Sequence, residues 1–117
     1  LVLYLGEGGA EDWPQARVYF KLAADQGMGK AQNNYAGMLH AGHGGKADLP
    51  AARTYYKLAA DQGVAVSQYN YAAMLHHGHG GEVDLRSARH YYSLAAEQGF
   101  ALAIKNLAIL SRQEDNL

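Results

Sequence analysis

The feature that most constrains this chain is that it repeats itself at a fixed spacing. The segment YFKLAADQG ends at Gly27, YYKLAADQG at Gly63 and YYSLAAEQG at Gly99, 36 residues apart each time. Aligned without a gap, residues 28–63 and 64–99 share 22 identities in 36 positions. The register runs backward as well. Leu3, Gly6, Gly8, Gly9 and Asp12 match Leu39, Gly42, Gly44, Gly45 and Asp48. Sequence periods of this length mark stacked repeat architectures. The chain divides into a truncated repeat (1–27), two full repeats (28–63 and 64–99) and a half repeat from residue 100 to 117 that serves as a capping helix.

Each repeat reads as two helices. Ala31, Tyr35, Met38 and Leu39 fall at helical spacing and make one apolar stripe. Gly42-His43-Gly44-Gly45 ends that helix, because glycine enters the left-handed conformation of a helix C-terminus without a steric cost. Asp48 is placed to cap the second helix, with Pro50 in its first turn. Asp12, Pro14 and Gln15 repeat that start signal. Leu49, Ala52, Tyr55, Tyr56 and Ala59 form the second helix's apolar face, and Gly63 closes it. Asp84, Leu85, Ala88, Tyr91, Tyr92, Ala95 and Gly99 follow one repeat later. Seven helical segments and no sheet are expected. A lone helix pair cannot bury its stripe, so neighbouring pairs must stack.

Composition agrees with close helix packing. Ala supplies 21 residues, and the Ala pairs 23–24, 59–60 and 95–96 mark the points where the next repeat approaches nearest. Leu102, Ile104, Leu107, Ile109 and Leu110 are expected to cover the end of the array. The absence of Cys excludes a disulfide framework, a thiolate zinc site and a thiol nucleophile. Ten Lys and Arg against eleven Asp and Glu lack the positive bias of a nucleic-acid binder, so no nucleic-acid partner is expected. No apolar run reaches the roughly 20 residues of a bilayer span, so no membrane insertion is expected. The sequence opens at Leu1 without an initiator Met, and it is expected to be part of a larger chain or complex.

The residues that could carry chemistry have structural explanations. His40-x-x-His43 and His76-His77-x-His79 have spacing that suits a zinc or copper ligand pair. The competing reading is one structural His copied at a helix end, so no metal and no cofactor are expected. Tyr19, Tyr55, Tyr56, Tyr91 and Tyr92 sit at fixed positions on apolar faces and read as core. Asn34, Asn70 and Asn106 share one position and are expected to bond neighbouring backbone. Ser67, Ser87, Ser93 and Ser111 lie in no nucleophile elbow. The chain is therefore expected not to be an enzyme.

These residues resemble the Sel-1-like repeats, relatives of the tetratricopeptide repeats. The resemblance rests on Ala31, Asn34, Ala36, Leu39, Gly42, Gly44, Asp48, Ala52, Tyr55, Tyr56 and the run Ala59-Ala60-Asp61-Gln62-Gly63. It departs from the family pattern at Gly45 and Gly81, often Val, where the loop is expected to loosen, and at His40 and His76, more commonly aromatic. The resemblance implies an all-α, right-handed α-solenoid of stacked antiparallel helix pairs. It also implies a scaffold that binds a protein or peptide segment. Cysteine-rich relatives credited with β-lactam chemistry carry a disulfide in each repeat, so that activity does not transfer. The alternatives are a purely structural spacer within a larger protein and a histidine-dependent metal or small-ligand module.

By the same resemblance, first helices line a concave groove. Asn33, Gly37 and His40 occupy one sector opposite the apolar stripe, and that sector is expected to face away from the second helix. One repeat on it carries Tyr69, Ala73 and His76, with His77 at its edge. The last helix contributes Lys105, Ile109 and Arg112, and the first contributes Tyr4. Tyr4, Asn33, Gly37, His40, Tyr69, Ala73, His76, His77, Lys105 and Arg112 are the expected partner-binding residues.

Overall fold

The computed structural model describes residues 12–115. Among these residues there are six helices and no strand: α1 (Trp13–Asp25), α2 (Gly29–Ala41), α3 (Leu49–Asp61), α4 (Ala65–His77), α5 (Leu85–Glu97) and α6 (Ala101–Asp115). The remaining expected helix falls outside the described residues.

Local chemistry sets the helix ends. Gly42 and Gly78 take left-handed φ values of 78° and 73° and stop α2 and α4. The Asp48 and Asp84 carboxylates accept the backbone N–H of Ala51 and Ser87, at 3.0 Å in both cases. Asp12 does not cap α1. Its backbone is already helical (φ −90°, ψ −7°), whereas Asp48 and Asp84 are extended, so its carboxylate receives no capping bond.

Each helix packs mainly on its neighbours in the chain, and the pairs α2–α3 and α4–α5 stack into a body of 47 × 26 × 25 Å. The result is an all-α solenoid. Its core runs continuously through Phe20, Tyr35, Met38, Leu39, Tyr56, Tyr71, Met74, Leu75, Tyr92 and Leu110. Between these large side chains lie fully buried alanines, including Ala36, Ala52, Ala59, Ala72, Ala88 and Ala95. A methyl side chain lets two helix backbones approach at each of these points. Burial of large apolar side chains contributes about 1.5–3 kcal/mol apiece.

Two amide ladders tie consecutive repeats together. Gln62 Nε2 donates to Gly27 O at 2.9 Å and to Gln32 Oε1 at 2.8 Å, while Gln32 Nε2 donates to Ala24 O. Gln98, Gly63, Gln68 and Ala60 repeat this set 36 residues on. Gln32 and Gln68 are buried, so these bonds satisfy amides that would otherwise be costly.

The glycine loops are clamped, not loosened. Arg17 donates to the carbonyls of His43 and Lys46, and Arg53 donates to those of His79 and Glu82. A Cβ at Gly45 would lie 2.9 Å from Arg17 Nη1, and one at Gly81 would lie 2.6 Å from Arg53 Nη1. Glycine at these positions makes room for the guanidinium. Gly80 is constrained differently. Its φ is +74°, and a side chain there would run into the Leu49 carbonyl.

Two more expectations need correction. Tyr19 is 55% exposed. Tyr55 and Tyr91, one and two repeats on, pack edge-on against Tyr35 and Tyr71 with ring centroids 4.7 Å apart. In α6, Ala103 and Leu110 are the fully buried residues and Leu107 packs against the core, while Leu102 and Ile104 are half exposed.

Candidate functional site

The first helices α2, α4 and α6 lie side by side, and side-chain bonds mark the seams. Asn33 Oδ1 on α2 accepts from Ser67 Oγ (2.8 Å) and Asn70 Nδ2 (3.4 Å) on α4. Asn106 Nδ2 on α6 donates to the Tyr69 hydroxyl at 3.2 Å. Asn70 and Asn106 therefore bond side chains on the first helix of the preceding repeat rather than backbone. The sequence could not fix this, because the partner lies 37 residues away, across a seam.

The expected sector is adjacent to the second helix instead of turned away from it. A Cβ at Gly37 would have the Tyr56 hydroxyl 3.8 Å away. His40 Nδ1 lies 3.5 Å from that hydroxyl, with the two rings edge to face. One repeat on, His76 Nδ1 lies 3.1 Å from the Tyr92 hydroxyl. Burial and then the nearby Tyr69 push the Tyr92 phenol up to about 12, so it stays protonated. His76 Nε2 then donates to Gln113 Oε1 at 2.8 Å.

Tyr69 is half-buried between Tyr92 (6.0 Å) and Phe100 (5.3 Å), and Ala73 is half-buried on the same helix. His40, His77, Lys105 and Arg112 are exposed. His77 stacks on His76 with ring centroids 4.4 Å apart and planes 17° apart. Burial, and then the charges His76 and His79 can carry, hold the His77 imidazole below its ordinary value. Tyr4 lies outside the described residues. His79, left out of the expected groove set, joins the cluster through contacts with His40 and His77. Its recurrence 36 residues after His43 was the available signal. Among the described residues, no three His, Asp or Glu side chains are placed to hold a metal ion. No helix among them is long and apolar enough to cross a membrane.

Stacked helix pairs with a mixed polar flank define an α-solenoid repeat protein. A family model described as Sel1 repeat matches residues 2–28, 29–64 and 65–100, and the chain belongs to that family. Among solved structures, it is similar to a protective antigen present in uropathogenic Escherichia coli strains, which displays an SLR fold. The TM-score is 0.92 and identity 34%, over 97% of this chain and 24% of the antigen. It is also similar to a Sel1 repeat protein from Oxalobacter formigenes (TM-score 0.79, identity 27%), over 82% of this chain and 40% of that one. The chain thus spans less than half the length of either protein. No curated protein matches the sequence significantly.

Proposed function

We propose that this Sel1 array is a non-catalytic interaction scaffold that takes a protein or peptide segment along the flank formed by α2, α4 and α6. One observation carries this reading. Along that flank, His40, His77, Lys105 and Arg112 are exposed. The helix positions that build the core are the same in α2 and α4: Tyr35 and Tyr71, Ala36 and Ala72, Met38 and Met74, Leu39 and Leu75. The flank is less uniform, with Asn33 where Tyr69 stands, and Gly37 where Ala73 stands. A groove that changes from repeat to repeat reads an extended segment residue by residue. Lys105 and Arg112 favour a carboxylate at the C-terminal end of the groove.

A displayed library of random 12-residue peptides, selected against the full chain, tests the proposal. The expected result is a family of binders enriched in Asp and Glu, or ending in a free carboxylate. A library that yields no binder favours the structural spacer.

A further inference from the structure

Four imidazoles form a row across the seam between the two full repeats. His40 lies in the last turn of α2, His76 and His77 lie in the last turn of α4, and His79 lies in the following loop. Ring centroids are 6.2 Å apart for His40 and His79, 5.9 Å for His77 and His79, and 4.4 Å for His76 and His77. The face-to-face stack of His76 on His77, with both nitrogens of His76 engaged, is the wrong geometry for a shared metal.

Among the described residues, the groups that contact the row from neighbouring helices are neutral or cationic. From α3 the Tyr56 hydroxyl faces His40, and from α5 the Tyr92 hydroxyl faces His76. From α6 the facing group is the Gln113 amide. Arg53, also on α3, donates to the His79 carbonyl at 3.3 Å and to that of Glu82, which brings a permanent cation to the row. Among the described residues, no carboxylate forms an ion pair with any of the four rings. The carbonyl ends of α2 and α4 accommodate a first positive charge. A second proton on a ring about 4–6 Å away meets like-charge repulsion.

We propose that this imidazole row is a proton-operated latch on the seam, closed while the rings are neutral and forced open when acid charges two or more of them. Opening displaces His40, His76 and His77 together, so whatever occupies the flank is released in acid. The latch itself does not depend on the flank having an occupant.

Melting the full chain at pH 7.5 and pH 5.5 tests it, with a His77→Gln/His79→Gln double variant and His90→Gln beside the parent. His90 is exposed and outside the row. An unfolded chain takes up imidazole protons near pH 6.5, while burial and the neighbouring His76 and His79 hold His77 below that value, so the stability His77 contributes is complete above it and falls as pH drops through it. Carboxylates titrate below this window. The parent and His90→Gln should each lose about 4 °C or more, and the double variant less than half of that. Equal losses in all three overturn the latch. Should the double variant fail to fold, NMR titration of the parent's imidazoles decides. At least one ring of the row should titrate below His90, and four rings titrating together with His90 overturn the proposal.

Discussion

The Tyr91 hydroxyl donates to Asp61 Oδ1 at 2.6 Å, and Tyr55 makes the same bond to Asp25 at 2.7 Å. Each bond joins the second helix of one repeat to the end of the second helix before it. Lys57 reaches the other oxygen of Asp61, as Lys21 does for Asp25. The repeated tyrosine therefore does two jobs, with its ring in the pair's core and its hydroxyl across the seam.

Replacing Tyr91 with Phe removes only the seam bond. Burial lifts the Asp61 carboxyl, but the bonds from Lys57 and Tyr91 outweigh it and hold that carboxyl below its ordinary value. Its contribution is therefore present above about pH 4 and is lost as pH falls through the lowered value. Tyr91→Phe should cost about 0.5–1 kcal/mol at pH 7, a modest figure because the carboxylate is partly solvated. Denaturant melts at pH 7 and pH 2.5 should show that difference shrinking in acid.

Gly81 and Arg53 should behave as one unit. Gly81→Val pushes the guanidinium off the His79 and Glu82 carbonyls and should cost about 0.5–1.5 kcal/mol, much as Arg53→Ala does. The double variant should cost no more than the worse single one, and a double-mutant cycle of melts reads the coupling. Gly80→Ala should be worse than either, because a side chain there meets the backbone of α3.

Ala59 is fully buried where α3 meets α4. Ala59→Leu should overpack that contact and cost about 1–3 kcal/mol, read as a lowered midpoint in urea. An unchanged midpoint would mean the helices separate there easily.

The sequence made the helices legible because each depends on its own residues. The stripe Ala31, Tyr35, Met38 and Leu39 is buried as its spacing predicts, and Gly42 and Asp48 set the ends they were expected to set. What it hid depends on register between repeats. Asn70 meets Asn33, Arg53 meets the loop beyond α4, and Tyr19 stays exposed although its sequence context matches that of Tyr55. The same limit applies to the flank. Helical spacing puts Asn33, Gly37 and His40 on one sector, but only the packing of α2 against its neighbours puts Tyr56 beside Gly37 and His40, and His79 beside His40.

The most direct measurement pairs binding with melting in a single variant, Lys105→Glu/Arg112→Glu. Both side chains are exposed on α6, so their reversal should leave the melting temperature within about 2 °C of the parent. Affinity for a selected acidic peptide should fall at least about tenfold, since attraction becomes repulsion at the carboxylate end of the groove. Unchanged affinity with an unchanged melt would contradict the placement of the partner on this flank.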